Sequence, residues 1–137
     1  KFLELEPYNA NGWYNRGIVL VKLNNIEKAI ESYDFAIAIN EEFASAWFNK
    51  GNALADLGRF QQAVECFNKA HELDDRDESA CFNLANVYEE LGDNINAIKY
   101  YTKAIKINKN YFEAYLARGY CYDEVGKYQS APGLAAR

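Results

Sequence analysis

Methionine is absent from the 137 residues, even at position 1, and the chain is expected to be a fragment or trimmed form of a longer one. Proline occurs only twice, as Pro7 and Pro132. No helix is expected through Pro132, because proline removes a backbone donor and clashes with the preceding turn at a cost of about 3 kcal/mol. Cysteine is scarce and odd in number: Cys66, Cys81 and Cys121 are separated by 15 and 40 residues, which matches no zinc pattern. With no His or base cluster near in sequence to activate a thiol, the three are expected to be reduced and to pack as small hydrophobes. Histidine occurs once, as His71, and a lone His is more often structural or solvated than catalytic. No apolar run approaches the roughly 18 residues of a membrane span. The start, KFLELEPYN, lacks the basic region and apolar core of a signal peptide. No membrane association is therefore expected, and a cytoplasmic location is.

Basic residues are in the minority. Fifteen Lys and Arg stand against 20 Asp and Glu, a net charge of −5. Nucleic-acid binding calls for a basic face, so that class is set aside, and a basic partner would be the better steered one. Half the residues are hydrophobic and about a quarter charged, which is globular composition.

What the chain does have is an echo. GWYNRG at Gly12 to Gly17 returns as AWFNKG at Ala46 to Gly51, 34 residues later. The same step from Trp13 reaches Trp47, Cys81 and Tyr115. From Gly17 it reaches Gly51, Ala85 and Gly119, and from Leu20 it reaches Leu54, Tyr88 and Tyr122. A second set follows: Ala29, Ala63, Ala97; then Tyr33, Phe67, Tyr101; then Ala36, Ala70, Ala104. Each column holds one size of side chain, and no gap is needed. Within a unit, Trp13, Gly17 and Leu20 lie at i, i+4, i+7, as do Ala29, Tyr33 and Ala36, so each unit reads as two helices. Large against tiny is how two helices approach closely. Leu57-Gly58, Leu91-Gly92 and Val125-Gly126 separate the helices, glycine being able to take positive φ and end one; Asn24 serves in the first unit.

These columns, W-Y-N-x-G, then G, then A-I-x-x-Y/F-x-x-A, resemble the tetratricopeptide repeat over nearly the whole chain. The resemblance implies an all-α fold, a right-handed superhelical solenoid of antiparallel helix pairs with about seven helices. The phase divides the chain into the end of a preceding repeat at 1–9, repeats at 10–43, 44–77 and 78–111, and the first helix of a fourth at 112–128, running to about Val125 and acting as a cap. Residues 129–137 are expected to be a tail left by cloning. The family's usual proline between units is replaced by Glu41, Asp75 and Lys109, which should leave those linkers less rigid.

The resemblance further implies that first helices line an inner, concave side and that the function is protein–protein interaction, with an extended or helical peptide in the groove. One inner column is Tyr14, Phe48, Phe82 and Leu116; the next is Asn15, Asn49, Asn83 and Ala117; a third is Ile18, Asn52, Asn86 and Tyr120. The asparagines are similar to the amide ladder of the O-linked N-acetylglucosamine transferase superhelix, which holds extended peptides, since an amide offers both donor and acceptor to a peptide unit. The plainer alternative is that they solvate the groove wall. The aromatic column offers apolar anchors, or else packs on the next repeat. Asp56, Glu89, Glu90, Glu113, Asp123 and Glu124 face Lys22 as the sole inner base, so partners with basic or apolar segments are expected. The candidate peptide-binding residues are thus Tyr14, Asn15, Phe48, Asn49, Asn52, Phe82, Asn83, Asn86, Glu90, Tyr120 and Glu124. The chaperone-binding members hold a C-terminal carboxylate with Lys and Arg around two Asn. Asn52 and Asn83 match the amides, but Phe48, Glu113 and Ala117 stand where the bases should be, so an acidic tail is not the expected ligand.

No glycine-rich phosphate loop appears, and the carboxylates follow helix surfaces, so no enzyme, metal or cofactor is expected. Two other readings stand beside the groove: self-association through exposed repeat ends, which need polar caps to stay soluble, and a recognition arm for an enzyme domain elsewhere in a longer protein.

Overall fold

A computed structural model of the chain describes residues 9–130. The expectations for residues 1–8, and for Pro132 and the rest of 131–137, lie outside the described residues. Seven helices and no strand occur among the described residues: α1 Ala10–Lys22, α2 Ile26–Ile39, α3 Ala44–Asp56, α4 Phe60–Leu73, α5 Glu78–Glu90, α6 Asn94–Ile107 and α7 Phe112–Ser130. Two compact units divide the chain, Lys1–Asp75 with α1 to α4 and Arg76–Arg137 with α5 to α7.

The hairpin turns follow from one backbone device. Gly58 and Gly92 sit at φ 78° and 79°, and Asn24 at 61°. At each, the amide two residues past the last helical turn bonds back to a carbonyl of that turn: Asn25 N to Leu20 O at 2.8 Å, Arg59 N to Leu54 O at 2.9 Å, Asp93 N to Tyr88 O at 2.8 Å. These are Schellman closures, and they require a left-handed residue that only glycine, or less readily asparagine, adopts without strain. Gly126 differs. No turn forms there, and α7 runs on to Ser130 rather than ending near Val125. A left-handed turn is kept when the next helix packs back against the first. The sequence after Gly126 has no alanine–aromatic–alanine stripe to do so, and continuing the helix through glycine costs only about 1 kcal/mol.

In the first unit, Ala29, Tyr33 and Ala36 of α2 and Ala63, Phe67 and Ala70 of α4 are buried to at most 3% exposure. Ala36, Ile37 and Ala46 form a core joining α2 to α3, with Trp13, Tyr14, Phe43 and Trp47 packed around it. Asn40 fixes the link between them: its Oδ1 accepts from Glu42 N at 3.1 Å, while Trp47 Nε1 donates to Glu41 O at 2.9 Å. An asparagine turn thus takes over where the family has proline. The second unit repeats the pattern: Cys81, Ala85, Ala97, Tyr101, Ala104, Ala114 and Cys121 form its core, and Asn108 caps the turn into α7 by accepting from Asn110 N at 3.0 Å. All three thiols are buried and unbridged.

Candidate functional site

In the first unit, α1, α2 and α3 enclose a cleft of about 190 Å³ lined by Ile18, Val21, Lys22, Tyr33, Asn49, Asn52, Ala53 and Asp56. The lining residues of α1 fall at i, i+3, i+4 and those of α3 at i, i+3, i+4, i+7, which places each set on one helical face. Asn49 Nδ2 donates to the Tyr14 hydroxyl at 3.2 Å and also hydrogen-bonds Tyr33. Burial pushes the Tyr33 phenol up to about 12; neighbouring Tyr14 adds to the rise and the Asn49 amide partly offsets it. The Tyr33 ring therefore stays neutral. Lys22 is exposed on one wall and Asp56 is exposed on the other. Apolar Ile18, Val21 and Ala53 between them give the cleft the lining of a side-chain pocket with amides at its edge.

The aromatic column is engaged in packing. The Tyr14 ring centroid lies 4.8 Å from Phe43, and Phe48 lies 5.7 Å from Phe67. Phe82 lies 5.6 Å from Tyr101 and 4.8 Å from Tyr111. All three column members remain half-buried rather than enclosed.

In the second unit, the Tyr101 hydroxyl lies 2.6 Å from Asn86 Oδ1 and 2.7 Å from Glu89 Oε1. Burial raises the Tyr101 phenol far above its ordinary range, and the hydrogen bond to and charge of Glu89 raise it further. The same carboxylate bonds the Cys121 thiol, which burial first and Glu89 second push up to about 11. Glu89 is thus a half-buried acid held by a phenol and a thiol. Asn83 is half-buried, whereas Glu90 and Tyr120 are exposed, and Glu124 pairs with Lys127 at 2.9 Å.

Of the sequence candidates, the fold brings Tyr14, Asn49 and Asn52 to one site in the first unit, and leaves Asn15 exposed in the middle of α1 and Phe48 on the Phe67 ring. In the second unit it ties Asn86 to Tyr101 and sets Phe82 between two tyrosines. The repeat columns mark Tyr33 and Tyr101 as packing residues alone, yet their hydroxyls meet the inner asparagines. The available signal is tyrosine in a column that Phe67 fills equally well: a hydroxyl at the end of a core ring needs a partner. His71 is half-buried near the end of α4. Among the described residues, no group of three or more His, Cys, Asp and Glu could hold a metal ion, and no helix is long and apolar enough to cross a membrane.

Family models of the tetratricopeptide repeat match residues 44–77 and 78–111, a further TPR repeat model matches 19–58, and another tetratricopeptide model matches 1–31 and 100–131. The chain belongs to the tetratricopeptide repeat family. Among solved structures, this tetratricopeptide repeat protein is similar to MamA at a TM-score of 0.89 and 26% identity, over 91% of this chain and 73% of that one. YrrB, described as a TPR protein with an unusual peptide-binding site, aligns at a TM-score of 0.82 and 24% identity, over 93% of this chain and 66% of its own. The first TPR of Spaghetti (RPAP3), solved with the HSP90 peptide SRMEEVD, aligns at 0.83 and 20% identity, over 85% and 93%. Those last two likenesses speak to the fold alone. Comparison with curated protein sequences returns no match. The repeats are protein-interaction modules, and the tetratricopeptide repeat protein is an interaction scaffold of that kind.

Proposed function

We propose that this tetratricopeptide repeat protein holds an extended peptide segment on the face formed by its first helices. The observation that carries the reading is the cleft between α1, α2 and α3, an apolar floor edged by the Asn49 and Asn52 amides and flanked by Lys22 and Asp56. An apolar side chain of the segment enters the cleft, and the Asn49 amide oxygen accepts from the segment's backbone. Tyr14 orients Asn49, and the exposed edge of Phe48 takes a further apolar side chain beside Asn15. In the second unit, by itself, Phe82, Asn83, Asn86, Glu90, Tyr120 and Glu124 offer a face of the same kind, its acids favouring a basic segment. Two structural neighbours described as peptide-binding proteins support the general mode. An acidic tail such as SRMEEVD is not the expected ligand here, because Phe48, Glu113 and Ala117 replace the bases that would hold its carboxylates.

A peptide array sampling apolar residues at alternate positions, with and without Lys or Arg between them, tests the reading. Asn49→Ala/Asn52→Ala should weaken binding of the retained peptides about tenfold or more, with helicity retained and melting lowered only by the loss of the Asn49 contacts to Tyr14 and Tyr33, each lost hydrogen bond being worth about 0.5–1.5 kcal/mol. Equal binding by wild type and variant would remove the cleft from the function.

A further inference from the structure

The outward faces of the second helices do not repeat as the core does. At matching register, Glu31, Phe35 and Ala38 of α2 become Glu65, Lys69 and Glu72 of α4, and Lys99, Lys103 and Lys106 of α6. Phe35 is the exception in its column: it is 50% exposed where two sister repeats place a lysine. Its ring lies 4.5 Å from Trp13, and with Glu31, Asp34 and Ala38 it lines a shallow hollow of about 390 Å³. Along α2, Glu27, Glu31 and Asp34 stand against Lys28 alone, and Glu41 and Glu42 follow its end. Arg59 and Lys50 partly cancel Glu27 and Asp34, at 2.7 and 2.6 Å, which leaves Glu31 beside Phe35 as the centre of negative charge.

The helix α6 has the opposite character. It carries Lys99, Lys103 and Lys106 and no acid. Two of these ammonium groups sit over the Tyr100 ring, Lys99 at 5.4 Å and Lys103 at 4.9 Å from its centroid. Where Asp34 meets Lys50 in the first unit, the matching place in the second unit has Thr102 accepting from Arg118 at 3.2 Å, so α6 supplies no carboxylate to that cation. One chain thus displays an acidic face with an exposed aromatic ring, and a basic face of the same helical register with an aromatic ring beneath its lysines.

We propose that the α2 face docks on the α6 face of a second copy of the chain. Charge complementarity between two surfaces of one sequence identifies the occupant, and Phe35 supplies the apolar anchor among the lysine stems and Tyr100. Each copy carries both faces, so every copy can offer its α2 face to one neighbour and its α6 face to a neighbour in turn. A single helix face buries far less than a stable interface of about 1,600 Å², so the association is weak and salt-dependent.

Sedimentation velocity of the whole chain over a concentration series tests this in about 0.1 M and about 1 M salt, where screening lengths are about 10 and 3 Å. Self-association is expected at the lower salt, weakened about tenfold or more at the higher salt and by Glu31→Lys or Phe35→Lys. Lysine at position 35 is what the sister repeats carry, so that variant should fold, and circular dichroism checks it. Mixing the Glu31→Lys copy with a Lys99→Glu/Lys103→Glu copy should restore hetero-association. A monomer at every concentration overturns the proposal, as does association indifferent to Glu31→Lys and Phe35→Lys. Association lost in Asn49→Ala/Asn52→Ala overturns it too, because the second copy would then occupy the cleft.

Discussion

A methyl group on Gly17 would stand 2.5 Å from Cε1 of Tyr33, inside any real carbon–carbon contact. Gly51 repeats the relationship with Phe67 at 2.8 Å. The absent side chain is what lets α1 lie on the Tyr33 ring, and the 34-residue pairing of a tiny residue with an aromatic is its record in the sequence. In the third repeat Ala85 shares a core with Tyr101, so the ring can settle a methyl further out when its surroundings are built for it. Gly17→Ala and Gly51→Ala should therefore each cost about 1–3 kcal/mol through forced repacking. Gly119, in the same column, has nothing within 4 Å of the place its methyl would take. Gly119→Ala should instead add about 0.5–1 kcal/mol of helix stability. Urea denaturation of the three variants reads both signs at once.

The Tyr101–Glu89 contact should be the costlier of the two phenol contacts to remove. Tyr101→Phe leaves a half-buried carboxylate without its phenol donor and should destabilise by about 1.5–3 kcal/mol, as for hydrogen bonds to charged groups. Tyr33→Phe loses only a neutral amide contact and should cost about 0.5–1.5 kcal/mol. Equal melting shifts for the two would mean that Glu89 is rescued by Cys121 or by water.

Stability should fall on the alkaline side. Cys66 and Cys121 are pushed up to about 11 from 9.0, and Tyr33 to about 12 from 10.0, each chiefly by burial. The unfolded chain then releases these protons at lower pH than the folded one. Their stabilisation is complete below pH 9 and declines as pH rises, the thiols contributing from about 9 to 11 and Tyr33 from about 10 to 12. Each group adds a slope of about 1.4 kcal/mol per pH unit within its window. Denaturation midpoints between about pH 8 and pH 11 check this, and Cys66→Ala should flatten the lower part of the curve. The same burial predicts slow reaction of the native thiols with a disulfide reagent at neutral pH.

Caps differ among equivalent helix starts. Asp93 caps α6 by accepting from Asn96 N at 3.1 Å, whereas Arg59, at the same register before α4, makes no side-chain cap. Asp93→Ala should cost about 1 kcal/mol, and Arg59→Asp should gain about 0.5–1 kcal/mol less the small worth of the exposed Glu27 pair. A gain in melting temperature for Arg59→Asp is the decisive reading, since most substitutions lower it.

Periodicity alone determined the helices from Ala10 to Ile107, their pairing and the turns at Asn24, Gly58 and Gly92, because the same large and tiny residues recur there at one interval. Gly58 and Gly92 could be placed at positive φ from their register, since no other residue closes that turn as cheaply. Gly126 could not, because whether a glycine turns depends on a partner helix that periodicity does not supply. The inner columns were also legible, as residues sharing a helical stripe. What each amide does was left to the tertiary structure. Asn49 reaches Tyr14 and Tyr33, and Asn86 reaches Tyr101, because rings from the second helix and from the neighbouring repeat end in hydroxyls at that depth. A repeat pattern records which positions face inward. It does not record where a ring ends, and a distance of about 3 Å between polar atoms decides whether an asparagine holds the fold or is left to hold a partner.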